Sequence, residues 1–315
     1  VRFPGLRPGL SHLALSGPTP DRNRTNLIPR PHRHHVRPLG DHRHARVARA
    51  SDAFRNGGVN RVNHLDRRDA PLVGIEAGGA HAEKIATHER QLLAVPEGTA
   101  LTDAAAIPEV FLTAWDALVL QGGLTSGRWA LVHAGGSGVG TAAIQIAKAV
   151  GARIAVTCSA GKAALCTSLG ADLVLERSPH DWLADAQAAV PGGFDTVLDV
   201  VGGEEIDRNL RAVAQRGTIV QVGLMGGGST QVNVGLLMAK RAHWVGTTLR
   251  ARPIEEKVAL TRRFAAEILP LFESSSREPQ LRPVIDCTFP LDRIAEAHEL
   301  MAANANAGKI VITIA

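Results

Sequence analysis

Apolar and polar positions along this chain follow two alternating periods, and the alternation predicts where strands and helices fall. Two short strands are expected within 80–95 (AHAEKIATHERQLLAV), and helical spacing runs from Thr102 to Gln121, broken at Pro108. Beyond that, short apolar runs and helical patterns take turns. Strands are expected at 129–134, 153–157, 173–175, 194–201, 218–222 and 244–249, and helices at 138–150, 161–169, 180–190 and 204–214. Gly170 stops the second of these helices, and Pro191-Gly192-Gly193 closes the third. The remainder reads as a helix at 255–273, a strand at 284–289, a helix at 292–303 and a strand at 309–314. Such β-α alternation with short connections predicts an α/β fold, a doubly wound parallel sheet with helices on both faces. Ligands bind at the carboxyl ends of these strands, and Gly135, Cys158, Asp199 and Gly223 fall at or near those ends. There is no internal repeat.

Residues 131–150, LVHAGGSGVGTAAIQIAKAV, carry the strongest chemical signal. An apolar strand breaks into Gly135, Gly136, Gly138 and Gly140, then into a helix marked by Ala143, Ile144, Ala147 and Val150. Glycines let the backbone turn sharply, and a helix starting near Gly138 aims free N–H groups and its positive dipole end at phosphates. On the G-x-G-x-x-G template the run reads Gly135-x-Ser137-x-x-Gly140, with serine replacing the middle glycine. A bare glycine motif is weak, so the flanking strand and helix carry the reading of a dinucleotide site over that of a glycine-rich turn. NAD sites place an acid about 20 residues further on. Here no acid occurs between Asp116 and Asp172, and the next strand ends in TCSAGK, 157–162. Ser159 can donate to a 2'-phosphate and Lys162 can neutralise it, which favours NADPH. The plainer alternatives are a helix N-cap for Ser159 and a solvated helix-start lysine for Lys162.

Composition changes the picture mainly at the front. The first 76 residues hold 14 Arg, no Lys and six acidic residues, a net of +8 in a chain of +5, so the rest sums to −3. The same stretch has 7 of the 13 His, 8 of the 17 Pro and, as aromatics, only Phe3 and Phe54. Three readings stand. A basic arm for nucleic acid is one, but it lacks aromatic residues for base stacking. A His-rich metal tract is another, although intervening arginines repel cations. The third is sequence from a shifted reading frame of GC-rich DNA, the reading favoured here. The remaining composition, 45% hydrophobic overall, supports a sizeable core in 80–315 and one or two domains across 315 residues. No run of 18 apolar residues implies a membrane span, and no apolar leader is read. Cys158, Cys166 and Cys287 lack metal-ligand spacing, so neither a metal site nor a disulfide framework is expected. A reducing cytoplasm is then the default location.

From about Gln91 onward the chain resembles the zinc-free quinone oxidoreductases of the medium-chain dehydrogenase/reductase superfamily, with motifs nearest the tumour-suppressor-inducible group. The matching stretches are AAAIPEVFLTAWDAL (104–118), HAGGSGVGTAAIQIAK (133–148), LDVVGG (198–203), VGLMGGG (222–228), LLMAKRAHWVGTTLRAR (236–252), AEILPLF (266–272) and GKIVI (308–312). Residues 58–68, GVNRVNHLDRR, look like the family's GVNRADLLQRR segment, and 71–77 and 78–98 resemble two further stretches with the part between them missing. The family's tyrosine after the RR segment is also absent. The resemblance implies a Rossmann domain inserted in a GroES-like β-rich catalytic domain that is incomplete here. The expected division is a basic head at 1–57, a GroES-like remnant at 58–112, an NADPH-binding domain at 113–250 and a return to the catalytic domain at 251–315.

The resemblance implies NADPH-dependent hydride transfer to quinones or other activated α,β-unsaturated carbonyl acceptors, by a homodimer; from its apolar character, the segment Val232 to Leu249 is the expected edge. The alternative is a catalytically impaired NADPH-binding remnant. Neither a membrane nor nucleic acid is expected as a partner. Carried over by position, Asn60 faces the nicotinamide end and Thr113 lies near the carboxamide. Gly135, Gly138, Val139 and Gly140 face the pyrophosphate, and Ser159 and Lys162 the 2'-phosphate. Gly223 and Leu224 lie by the nicotinamide ribose, Leu249 and Arg250 beside the nicotinamide, and Lys309 near the cofactor. Each has a plainer reading: a turn residue at Asn60, a helix residue at Thr113, a positive φ at Gly223, a surface charge at Arg250. No acid/base or nucleophilic residue is assignable. His133 reads as structural, Asp199 as orienting its strand end, and the Met225 loop as a flexible wall.

Overall fold

The computed structural model describes residues 45–47, 54–56, 61–62, 69–71, 86–177, 181–273 and 280–314. Six short strands come first: β1 (Ala45–Val47), β2 (Phe54–Asn56), β3 (Arg61–Val62), β4 (Asp69–Pro71), β5 (Ala86–His88) and β6 (Leu92–Ala94). The last two are the pair expected within 80–95. Two helices follow, α1 (Leu101–Ala105) and α2 (Pro108–Trp115). Pro108 takes the first turn of α2, where its missing N–H costs nothing, so the break expected there is the start of a new helix. Past Trp115 the chain widens into a π-helical stretch, Asp116–Gln121.

The body is a parallel six-stranded sheet made of β7 (Trp129–His133), β8 (Arg153–Cys158), β9 (Leu173–Glu176), β10 (Phe194–Asp199), β11 (Val213–Gln221) and β12 (His243–Gly246). Its spatial order is β12-β11-β10-β7-β8-β9. The order reverses between β10 and β7, and this switch point is where a doubly wound sheet opens a crevice. Helices α3 (Gly138–Ala149), α4 (Ala163–Ser168), α5 (Trp182–Ala189) and α6 (Glu205–Ala212) fill the connections. Then come α7 (Val234–Lys240), α8 (Ile254–Glu267), β13 (Ile285–Pro290), α9 (Ile294–Ala302) and β14 (Lys309–Thr313). The last strands join β2 and β3 in a separate sheet ordered β13-β14-β2-β3.

The strand period of two sorts the core onto the two faces. Ala130, Val132, Ile154, Val156, Leu198 and Val220 pack with α2, α3 and α8 on one face. Leu131, Ala155, Val197 and Ile219 pack with Trp182, Leu183 and Leu210 on the other. Both faces are covered, so these strands read as continuous apolar runs. Edge-to-face aromatic contacts of Phe111 on Phe272, with centroids 4.7 Å apart, and of Trp115 on Phe264, at 6.0 Å, fix α2 against α8 and the turn after it.

The boundaries differ from expectation for identifiable reasons. β10 ends at Asp199 rather than Val201 because the Asp199 carboxylate accepts the amides of Val201 and Gly202. β12 ends at Gly246 rather than Leu249, where a hydrogen-bonded loop takes over. α8 stops at Glu267, and Pro270 belongs to a 3-10 turn over Leu269–Phe272. Helix α7 is an addition to the expected elements: its seven residues, VGLLMAK, are nearly all apolar, with Leu236 and Leu237 half-buried on the core and Val234 and Met238 exposed, so no one-sided stripe marks it as a helix. No helix of the described residues is long and apolar enough to cross a membrane.

Candidate functional site

The turn between β7 and α3 lies at the switch point. Ala134 leaves the strand with a φ of 58°, and the Gly135 amide donates to the Thr157 carbonyl at 2.9 Å. A Cβ on Gly140 would sit 2.2 Å from the Ala134 carbonyl oxygen, so no other residue fits where the helix recrosses the strand end. Ser137 occupies the place of the middle glycine as the N-cap of α3. Its Oγ accepts the Gly140 amide at 3.0 Å, and its carbonyl accepts the Thr141 amide at 2.8 Å. Those two of the first-turn donors are satisfied internally, Gly138 adjoins the parallel bridge of Ser137 with Gly308, and the Val139 amide remains for a ligand at the dipole's positive end.

Two lysines border this turn. A Cβ on Gly136 would lie 2.6 Å from Cδ of Lys162, and one on Gly138 2.7 Å from Cδ of Lys309. The glycines therefore make room for lysine stems. The Lys162 ammonium donates to the Asn304 carbonyl at 3.1 Å. Lys309 lies 3.9 Å from a Glu109 carboxylate oxygen. Burial pushes its ammonium below the ordinary lysine range, and Glu109 opposes this. The segment carrying Lys309 is docked on the turn itself, the Gly308 amide donating to the Gly136 carbonyl at 2.9 Å. Ser159 is exposed, and its side chain makes no capping bond, so the N-cap alternative does not use its hydroxyl. An open helix N-terminus, two cations and an uncommitted hydroxyl fit a dinucleotide with an extra phosphate.

The other expected residues spread along the same edge. Thr113 is half-buried on α2, three residues beyond Val110, whose Cγ1 would meet a Gly138 Cβ at 3.0 Å. Gly223 does not have a positive φ, contrary to the plainer reading of it. It is required because a Cβ would lie 2.8 Å from the Val200 carbonyl oxygen. Leu224 and Met225 are 60% and 72% exposed. The loop backbone beneath them is stitched down by the Gly226 amide to Val201 at 2.7 Å and by the Gly203 amide to Gly227 at 3.0 Å. The Met225 loop, expected as a flexible wall, is thus tied through its backbone to the turn after β10. Leu249 packs partly buried on the main core, while Arg250 is exposed. Asn60 lies outside the described residues.

A family model described as zinc-binding dehydrogenase matches residues 138–265. The chain is 33% identical over 246 residues to the spectinabilin polyketide synthase system protein NorB of Streptomyces orinoci, covering 77% of this chain but only 11% of that one. It thus spans about a tenth of that relative's length. A solved NAD-dependent alcohol dehydrogenase is 30% identical, covering 78% of this chain and 68% of that one, with a TM-score of 0.66. The quinone oxidoreductase of Thermus thermophilus, solved also with NADPH, is 28% identical with a TM-score of 0.73, covering 86% and 92%. The chain belongs to the quinone oxidoreductase family of the medium-chain dehydrogenases/reductases.

In this family member a buried polar chain, not foreseen as a unit, links the strand ends. The Thr157 hydroxyl lies 2.9 Å from Nδ1 of His133, whose Nε2 lies 2.6 Å from Oδ1 of Asn209. Nδ2 of Asn209 donates to Asp199 at 2.9 Å, and the same carboxylate holds the amides of Val201 and Gly202. The directions are consistent throughout: Asp199 accepts, so the Asn209 oxygen faces His133, His133 carries its proton on Nε2, and Thr157 donates to Nδ1. His133 also meets the Trp182 ring edge-on at 5.0 Å. The structural reading of His133 and the orienting role of Asp199 thereby gain specific partners. The one sequence signal for Asn209 was an amide in the middle of an otherwise amphipathic helix.

Proposed function

We propose that this chain binds NADPH across the 135–140 turn and transfers hydride to quinones or similarly electron-poor α,β-unsaturated carbonyls. The observation that carries the reading is the pair of lysine stems packed on Gly136 and Gly138 beside the first turn of α3, where Val139 presents its amide. Val139 and Gly138 would hold the pyrophosphate, Lys162 and Ser159 the 2'-phosphate, and Lys309 the charge near the turn. Gly223, Leu224, Thr113, Leu249 and Arg250 would border the nicotinamide half. NADPH supplies the hydride. The chain's own contribution is alignment, which removes much of the entropic barrier. No acid/base residue is assigned to the acceptor, so acceptors that are already polarised suit the site.

A homodimer is part of the proposal. β12 is an edge strand paired only to β11 within its sheet, it carries the 45%-exposed Trp244, and α7 beside it has no buried residue. The test is a paired titration of the full chain with NADPH and NADH by nucleotide fluorescence, then turnover with a simple quinone. Tight NADPH binding with turnover supports the reading. Tight binding without turnover makes the chain a cofactor-binding remnant, which the sequence gap between 71–77 and 78–98 favours as the second reading. No binding rejects both.

A further inference from the structure

The loop leaving β12 is anchored from an unexpected place. Asp116, the first residue of the π-helical stretch, is only 2% exposed. One carboxylate oxygen accepts from Arg252 Nη2 at 2.5 Å and from the Thr247 hydroxyl at 3.1 Å, and the other accepts from Gln121 at 3.2 Å. The same guanidinium nitrogen of Arg252 lies 2.6 Å from the Thr247 hydroxyl. The first and last residues of the segment 247–252 are therefore tied to each other and to one buried carboxylate 131 and 136 residues earlier in the chain. The backbone is fixed as well. The Thr247 amide donates to Gln221 at 3.0 Å, and Lys257 donates to the Arg250 carbonyl at 3.0 Å. Between these anchors lie Leu249 and Arg250, at the ligand-binding end of the sheet.

We infer that Asp116 and Arg252, with Thr247 between them, are positioning residues that hold Leu249 and Arg250 against the acceptor side of the site. The acceptor-side role rests on the reductase reading, and the anchoring on geometry alone. Its physical basis is the depth of the ion pair. A carboxylate this buried is costly without a partner, so the loop is drawn to the helix whenever the fold is intact. The π-helical widening is a common device at functional sites. Arg250, two residues earlier in the loop, is left exposed, so of the two arginines Arg252 orders the loop and Arg250 is available to a ligand.

The test compares Asp116→Asn and the milder Thr247→Val with the parent chain. Hydrogen exchange of 247–252 is read by mass spectrometry, NADPH affinity by fluorescence, and quinone turnover by steady-state kinetics. Amide exchange confined to 247–252 should accelerate at least tenfold in Asp116→Asn and more modestly in Thr247→Val. The acceptor KM should rise about fivefold or more with NADPH affinity within twofold of the parent. Unchanged exchange in both variants overturns the anchoring. Equal losses in NADPH affinity and acceptor KM overturn the assignment to the acceptor side. If the parent chain turns over no quinone, the reductase reading falls. In that case the acceptor-side role falls with it, while faster exchange in 247–252 still supports the anchoring and unchanged exchange overturns it.

Discussion

Asn209→Leu removes the central link of the buried polar chain while nearly preserving its volume. Asn209 has no solvent exposure, and its amide serves His133 on one side and Asp199 on the other. Leucine strands a buried imidazole N–H and removes one of the three donors to the Asp199 carboxylate. Each stranded group costs about 1–3 kcal/mol, more next to a charge, so the variant should lose about 3–5 kcal/mol. For a unit of this size, 1 kcal/mol shifts Tm by about 2–4 °C, so a drop of roughly 10 °C is expected in a thermal melt. Adding His133→Phe removes the stranded donor, and the double variant should be less destabilised than the two singles summed by about 1–2 kcal/mol. A loss below about 1 kcal/mol for Asn209→Leu, or strict additivity in the pair, would refute the directional chain described above.

Lys162→Ala should weaken NADPH by about 10- to 100-fold, the worth of a charge-assisted contact, and NADH by less than about threefold, in parallel fluorescence titrations; equal losses would remove the 2'-phosphate role. Lys309 gives a pH dependence. Burial lowers its pKa, so between that lowered value and the ordinary lysine range the unfolded chain binds more protons than the folded one, and stability rises with pH across the window. A bound phosphate favours the charged form, so NADPH affinity should fall as pH rises through the same window. Lys309→Met should flatten both slopes, and a variant with unchanged slopes would show that another group titrates. Trp244→Lys should convert a dimer to a monomer in sedimentation; a variant that stays dimeric puts the interface elsewhere.

The sheet and the phosphate turn were legible because their cause is local. The apolar runs of β7, β8, β10 and β11 follow from burial on both faces, and the glycine run has a backbone purpose that no other residue serves. What stayed hidden depends on distant partners. Asp116 and Arg252 look like ordinary surface charges of a helix and a loop, and only the fold buries their meeting point. Asn209 reads as a poor helix former until His133 and Asp199 arrive on either side. Helix α7 escaped because an apolar run without a polar face carries no helical period. Gly223 suggests a conformational need in the sequence, whereas its neighbour Val200 is the reason for it. Ser137, a departure from the glycine template, is the cap that organises the turn.

The docking of Gly308 on Gly136 has a consequence for the order in which this molecule is made. Strands β7 to β12 and their helices emerge from the ribosome before the segment that closes the phosphate turn. The Lys162–Asn304 contact alone joins residues 142 positions apart. Domains begin folding during synthesis, and distant closures come last. A nascent chain can therefore own a complete sheet while its turn still lacks Asn304, Gly308 and Lys309. On the proposed reading, cofactor capture is then a late event in the life of the chain, and it marks the moment at which the distant segment has come home.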